Sequence, residues 1–187
     1  YFDSFVTKAH SLGMKILLDW VANHSARDAK WIHNKPADWY EREADGTLRD
    51  RFYDRVMFPI HNISGRVVGF GGRTLRTDKK VAKYQNSPES EIYNKRREVY
   101  GLFFAKKAIQ QEDYAILVEG YADVISMHQA GVENVVASSG TSLTEEQIRL
   151  ISRFTNNITL MFDGDAAGVK AALRGVDLIL KEGMNVR

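Results

Sequence analysis

Three acidic side chains follow two apolar segments of the sequence, and together they could bind a cation. Asp163 and Asp165 flank one glycine directly after the apolar run at 158–162, and Glu119 lies at the end of the apolar run at 114–120. Two carboxylates about 4 Å apart repel by roughly 4 kcal/mol at an effective dielectric constant of 20, and a bound divalent cation removes that repulsion. Oxygen ligands favour Mg²⁺ or Mn²⁺, whereas a polar turn that caps the next helix is the simpler alternative.

The elements that would position these acids alternate between strand and helix signals over residues 113–187. Apolar runs at 114–120, 135–141 and 158–162 predict three strands, and a further strand should begin near Val186. This alternation is typical of a parallel sheet with crossover helices, so the predicted fold class is α/β. In such a sheet, ligands bind beyond the carboxyl ends of the strands, which is where all three acids fall.

Capping signals and apolar periodicity locate two of the crossover helices. Two pairs of residues have capping-box spacing and predict a helix start, namely Ser142 with Glu145 and Thr144 with Gln147. The glycine between the two aspartates is expected to keep the backbone tight, and the helix behind it should direct its positive end toward them. That helix carries a continuous apolar stripe formed by Val169, Leu173, Val176 and Leu180.

The charge is unevenly distributed along the chain. Residues 51–112 contain 13 Lys and Arg against 6 Asp and Glu, whereas residues 113–187 contain 6 against 10. Basic surface of this density indicates a polyphosphate partner, most often nucleic acid, although a solvated lysine-rich face is an equally simple explanation.

The basic block predicts a small β structure followed by a helix. Two β-rich runs within 55–73 form a hairpin, and Pro59 favours an edge strand. The glycines at 69–72 fit neither a dinucleotide fingerprint nor a P-loop, and they indicate a bulge or a close backbone approach. A polar loop at 83–90 precedes a predicted helix from about residue 93 to residue 110.

Several motifs resemble a known family. VEGYADV at 118–124 and DGDAAG at 163–168 resemble the Toprim fold shared by bacterial primases, topoisomerases and nucleases. Upstream, RVMFPI, VVGFGGRTL, KYQNSPES and YGL are similar to the core of bacterial replicative DNA primases, in order and at suitable spacing, so the resemblance covers 51–187. It implies a Toprim-like parallel sheet with crossover helices, preceded by a basic α+β subdomain.

The primase resemblance also implies a chemistry, which is metal-dependent synthesis of short RNA primers on a single-stranded DNA template during replication. Glu119, Asp163 and Asp165 would be the catalytic and metal-binding acids, with Mg²⁺ or Mn²⁺ as the cofactor. Contacts to the template or to incoming ribonucleoside triphosphates would come from Arg55, Arg73, Lys83 and Lys95. The family's zinc module and helicase-binding domain have no counterpart in the sequence, so neither zinc nor helicase binding is expected of this chain.

The first segment carries a different resemblance. GMKILLDWVANHS at 13–25 resembles the alpha-amylase-family strand with the pattern D-x-V-x-N-H, in which Asp19, Asn23 and His24 would line a sugar subsite or support a nearby calcium. A (β/α)8 barrel needs about 200 residues or more, and this resemblance is confined to about the first 48. We therefore expect a chimeric fragment with three parts: a lone αβ unit at 1–49 resembling a barrel piece, a basic subdomain at 50–112, and a Toprim domain at 113–187 truncated at its C-terminus.

Three functions remain open from the sequence: a primase core fragment, a glycoside hydrolase fragment, and a catalytically inert fusion that binds nucleic acid. The chain of 187 residues is 44% hydrophobic and has no cysteine, which predicts a globular core, no thiolate ligands and a reducing compartment. Near the N-terminus the longest apolar run, at 16–18, is far too short for a membrane span or a signal peptide. We expect a cytoplasmic protein with no membrane association.

Overall fold

The computed structural model describes residues 48–76, 81–138 and 142–187, together with Thr7, Ser11 and Tyr40–Arg42. The chain divides into two compact units, Tyr1–Tyr53 and Asp54–Arg187. The domain boundaries expected after residues 49 and 112 stay predictions.

In the first unit, strand β1 (Tyr40–Arg42) pairs antiparallel with strand β2 (Leu48–Asp50). The segment at 13–25 that resembles an alpha-amylase-family strand, with its sugar-subsite candidates Asp19, Asn23 and His24, lies outside the described residues.

The second unit begins with a small antiparallel sheet in the order β3-β4-β5. Its strands are β3 (Arg55–His61), β4 (Val67–Thr74) and β5 (Tyr84–Asn86). The hairpin prediction is confirmed, and Pro59 lies in β3 at the edge of this sheet. The prediction of a loop throughout 83–90 was wrong, because the backbone of β5 pairs with β4, with Gly71 opposite Asn86.

A five-stranded sheet in the order β10-β9-β7-β8-β6 forms the centre of the unit. All its pairings are parallel except that of β6 with β8, so the predicted α/β fold with a parallel sheet is confirmed. The strands are β6 (Val99–Tyr100), β7 (Ala115–Val118), β8 (Val135–Ser138), β9 (Asn157–Leu160) and β10 (Asn185–Val186). The helices are α1 (Leu102–Glu112), α2 (Tyr121–Gln129), α3 (Glu145–Ile151) and α4 (Ala166–Lys181).

The core lies on both faces of this sheet, because successive side chains of a strand point to opposite sides. Leu117 of β7 packs in a cluster with α1, α3 and α4, whereas its neighbours Ile116 and Val118 pack in a cluster with α2 and β3. The continuous apolar run of β7 therefore reflects burial on both faces.

The helix expected from residue 93 to residue 110 was only partly right. Helix α1 begins at Leu102, and before it Val99 and Tyr100 form β6, paired with Ser138 and Ala137 of β8. Gly101, with a φ of 83°, separates the strand from the helix in a left-handed conformation that favours glycine. Val99 is 1% exposed, so burial in the sheet outweighed the local helical pattern.

The apolar stripe expected on the last helix is not the face that α4 buries. Val169, Leu173 and Leu180 are 49%, 64% and 55% exposed, whereas the buried positions are Gly168, Gly175 and Ile179. A β-carbon at Gly175 would lie 3.3 Å from the Leu160 side chain, so the helix approaches β9 through its glycines. Hydrophobicity periodicity does not count glycine, and the stripe therefore pointed to the wrong face.

A matched pair of tyrosines gives a first testable prediction about packing. Tyr93 is 1% exposed, and its hydroxyl has no hydrogen-bond partner within the described part of the chain. Because an unpaired buried hydroxyl is destabilising, Tyr93→Phe should leave the free energy of unfolding unchanged or raise it by up to about 1 kcal/mol. Tyr121→Phe should lower it by about 1 kcal/mol, since the Tyr121 hydroxyl is hydrogen-bonded.

Chemical denaturation of both variants at neutral pH measures this difference. Burial raises the pKa of Tyr93 to about 12 from 10.0, with Glu98 and Glu89 adding to the shift. The fold thus favours the neutral hydroxyl of Tyr93. The part of the free energy of unfolding that comes from this preference is lost as the pH rises from about 10 to about 12. If Tyr93→Phe is less stable than Tyr121→Phe at pH 7, the Tyr93 hydroxyl stabilises the fold, which would contradict its description as an unpaired buried group.

Candidate active site

The structure brings two of the three predicted acids into direct contact. Strands β7 and β9 are parallel neighbours, so Glu119, which follows β7, and Asp163, which follows β9, lie at the same edge of the sheet. The backbone N–H of Asp163 donates a hydrogen bond to Glu119 Oε1 at 2.8 Å. Both side chains are exposed, so their carboxylates can reach a ligand from solvent.

Asp165 lies two residues further on and begins helix α4. Its Oδ1 accepts a hydrogen bond from the Gly168 backbone N–H at 2.7 Å, which makes Asp165 the N-cap. The capping alternative therefore applies to Asp165, although capping uses only one of its two carboxylate oxygens. The 16-residue helix α4 directs its partially positive N-terminus to this edge of the sheet.

The tight approach expected at Gly164 occurs instead at Gly168. A β-carbon at Gly164 would meet nothing within 4 Å, whereas one at Gly168 would lie 2.2 Å from the Asp163 carbonyl oxygen and 2.8 Å from Glu119 Oε1. The first turn of α4 therefore packs directly against the Asp163 backbone and the Glu119 carboxylate. Only a residue without a side chain fits at Gly168.

The oxygen ligands at this edge of the sheet suit a metal site that stays open to water and substrate. Across the described stretches of the chain, no group of three or more Asp, Glu, His or Cys side chains is arranged to hold a metal ion. Mg²⁺ commonly binds through one or two carboxylates and keeps its other positions for water and substrate phosphates. Glu119 and Asp163, with Asp165 beside them, suit a site of that kind rather than a closed protein cage.

Two clefts open on this edge, and Glu119 lines both. One, of about 400 Å³, is also lined by Tyr84, Asn86, Lys95 and Tyr121. The other, of about 360 Å³, includes Arg174 in its wall. The structure thus places predicted Lys95 in one cleft with Glu119, and it adds Arg174 in the other, a residue for which the sequence offers no motif signal.

The other predicted basic residues lie on the small sheet. Arg73 in β4 is cross-strand to Tyr84, and its guanidinium carbon lies 5.7 Å from that ring's centroid, while Lys83 is exposed just before β5. Arg55 is only 8% exposed, and its Nη1 donates to the carbonyl oxygens of Gly72 at 3.3 Å and Lys83 at 3.4 Å. Its geometry is that of a residue holding these strands together.

Tyr121 links the small sheet to the acidic edge, a role that sequence reasoning missed. Its hydroxyl donates to Asn86 Oδ1 at 3.0 Å, and its ring centroid lies 4.5 Å from that of Tyr100. A β-carbon at Gly71 would lie 2.4 Å from the Tyr121 ring. Burial raises the pKa of Tyr121 above its ordinary range, so the hydroxyl stays a donor. The sequence signal that could have revealed this role is the position of Tyr121 two residues after Glu119.

Gln147 holds the segment that carries Lys95. The Gln147 side chain is fully buried in α3, and its Nε2 donates to the carbonyl oxygens of Lys95 at 3.0 Å and Glu98 at 2.9 Å. Its Oε1 accepts from the Thr144 N–H at 3.2 Å, which completes the predicted capping box. The same side chain therefore starts α3 and positions a wall of the cleft.

Comparison with known proteins places the chain among primases. Residues 12–106 match the DNA primase catalytic core, N-terminal domain, and residues 113–187 match the Toprim domain. The DNA primase of Halalkalibacterium halodurans is 52% identical over 147 residues, which are 79% of this chain and 24% of that protein.

Solved structures give the same result. The Aquifex aeolicus primase, comprising zinc-binding and RNA polymerase domains, is 43% identical with a TM-score of 0.74, covering 80% of this chain and 37% of that one. A DnaG primase catalytic domain bound to single-stranded DNA is 42% identical with a TM-score of 0.70, covering 81% of this chain and 49% of that one.

The comparisons separate the two resemblances found in the sequence. The primase match begins at residue 12 and runs through most of 1–48, and the glycoside hydrolase resemblance and the chimeric origin find no support. The chain spans about a quarter of the length of the curated relatives it matches. Within the described residues, no helix is both long and apolar enough to cross a membrane. The two domain matches together show that this chain belongs to the DNA primase catalytic core family.

Proposed function

We propose that this chain is a catalytic portion of a DNA primase and joins ribonucleotides into short RNA primers on single-stranded DNA. The observation that carries the proposal is the hydrogen bond from the Asp163 N–H to the Glu119 carboxylate. It joins two acids from separate motifs at the carboxyl end of a parallel sheet, where phosphate-binding sites form in α/β folds.

Glu119, Asp163 and Asp165 are the proposed ligands of Mg²⁺ or Mn²⁺, and primases generally use divalent metal ions. The metal, when bound, neutralises charge on the phosphates of the incoming nucleotide. The chain itself contributes the alignment of the acids, since Gly168 allows α4 to pack against the Asp163 backbone. Zinc has no assigned role in this portion of the protein.

Arg73, Lys83 and Lys95 are the proposed contacts for the template or the ribonucleoside triphosphates. The small sheet that carries the first two is basic, and Lys95 shares a cleft with Glu119. The solved DnaG domain bound to single-stranded DNA supports a single-stranded template. Arg55, proposed with them from the sequence, contributes by holding the Lys83 backbone. A helicase partner and a cytoplasmic location are proposals for the whole protein.

Primer synthesis with matched acidic variants tests this function. Wild-type chain, single-stranded DNA, ribonucleoside triphosphates and manganese should give short RNA products, and Glu119→Gln, Asp163→Asn and Asp165→Asn should each reduce the rate by a factor of 100 or more, roughly 3 kcal/mol of lost transition-state stabilisation. Asp177→Asn is the control, because Asp177 is an exposed acid of α4 away from this edge.

Two outcomes would count against the proposal. If the three variants keep the activity of the Asp177→Asn control, the acids do not carry the reaction. If the wild-type chain binds DNA but yields no manganese-dependent product, the alternative of an inert nucleic-acid-binding chain is favoured instead.

A further inference from the structure

Three aromatic rings meet at the end of the β3–β4 hairpin, away from the acids. The ring centroid of His61 lies 5.0 Å from that of Phe104 in an edge-on arrangement and 6.4 Å from that of Phe103 in a stacked one. The centroids of Phe103 and Phe104 are 5.1 Å apart. Phe104 is 57% exposed, which leaves a large apolar ring at the surface.

The hairpin turn fixes this cluster in place. Asn62 Oδ1 accepts hydrogen bonds from the N–H groups of Ser64 at 3.1 Å and Arg66 at 3.0 Å, so the turn is internally braced. Gly65 has a φ of 86°, and a β-carbon there would lie 2.5 Å from the Phe103 ring. The turn thus packs directly on Phe103, and the rings form a surface that needs little ordering before it binds.

The surroundings of the rings are positively charged. Lys106 Nζ lies 4.4 Å from the Phe103 ring centroid and donates to the Ile63 carbonyl oxygen at 3.3 Å, which holds its charge against the cluster. Lys107 and Arg66 are exposed nearby in the same elements. The hairpin at 55–76 contains no Asp or Glu, and the acid of α1, Glu112, is its last residue, eight residues after Phe104, so the hairpin and the earlier turns of α1 carry only positive charge.

We infer that these residues form an aromatic patch, comprising His61, Phe103, Phe104, Lys106 and Lys107, which stacks the bases of single-stranded DNA outside the active site. Exposed rings among cations suit unpaired bases, because every base has a face to stack and every nucleotide a phosphate to neutralise. The inference rests on the proposed function, since it names a second contact for the proposed template.

The patch is separate from the basic residues near the acids. It lies at the His61 end of β3, whereas Arg73 and Lys83 lie at the Arg55 end of the same sheet. Seven residues of extended strand put roughly 20 Å between the two ends. A template that contacts both places therefore spans several nucleotides, and the patch lengthens the path that holds it.

Binding of a 20-nucleotide oligo(dT) to three single variants tests the inference. Phe104→Ala should weaken binding roughly 5- to 100-fold while leaving the salt dependence unchanged, because it removes stacking and no charge. Lys107→Gln should lower the slope of log affinity against log salt by roughly 0.7. Leu180→Ala is the matched control, since Leu180 is a 55% exposed apolar residue on α4, and it should bind like wild type.

A parallel variant with Arg73, Lys83 and Lys95 all changed to alanine separates the patch from the proposed function. If this triple variant loses binding while Phe104→Ala binds like the Leu180→Ala control, the template proposal stands and the patch is refuted, which would favour a protein partner for the exposed ring. If the wild-type chain does not bind oligo(dT), both proposals are refuted.

Discussion

Gly168→Ala is expected to lower the free energy of unfolding by about 1–3 kcal/mol, the range for forcing extra atoms into a packed region. The added methyl group would lie 2.2 Å from the Asp163 carbonyl oxygen, which is backbone and can move only with the loop after β9. That displacement should also break the Asp163 hydrogen bond to Glu119 and weaken manganese binding. Denaturant unfolding with and without manganese measures both effects.

Gly164→Ala is the matched control within the same motif. A β-carbon there meets nothing within 4 Å, so the variant should match wild type to within about 0.5 kcal/mol. Equal stability and equal metal response of the two alanine variants would show that α4 does not set the geometry of the acids.

Gln147→Ala is expected to lower the free energy of unfolding by about 2–4 kcal/mol. The substitution removes the donors to the Lys95 and Glu98 carbonyl oxygens and the acceptor for Thr144 in a side chain that is 0% exposed. The segment with Lys95 should loosen at the same time, so affinity for single-stranded DNA should fall as well. Unfolding curves and oligonucleotide titrations at one temperature report the two effects.

Two further variants isolate the cause. Gln147→Met keeps most of the volume and loses the hydrogen bonds, whereas Gln110→Ala removes an exposed glutamine from α1 and should change stability by less than about 0.5 kcal/mol. If Gln147→Met is as stable as wild type, the hydrogen bonds of Gln147 contribute nothing and only its volume matters.

The central sheet and its acidic edge were predictable because their signals are local. Strand β7 is an apolar run that ends at Glu119, and the Thr144–Gln147 capping box starts α3 as its spacing indicates. Parallel strands bring their carboxyl ends together, and this placed Glu119 beside Asp163 without knowledge of any tertiary contact.

The remaining features depend on neighbours distant in sequence. Val99 and Tyr100 form a strand only because β8 lies beside them, and local propensity favoured a helix there. The buried face of α4 is chosen by glycines that let it approach β9. Lys95 and Glu98, whose carbonyl oxygens accept hydrogen bonds from Gln147, lie about fifty residues earlier in the chain, and no spacing rule reaches that far.

Melting curves with and without manganese test the metal site most directly. At a hundredfold excess of metal over its dissociation constant, manganese should stabilise wild type by about 2.7 kcal/mol and stabilise Glu119→Gln, Asp163→Asn and Asp165→Asn much less. Without metal, the asparagine variants should be at least as stable as wild type, because repulsion is lost and asparagine still caps a helix. Asparagine variants that lose stability without metal and keep the full manganese response would show that the acids are only turn and capping residues.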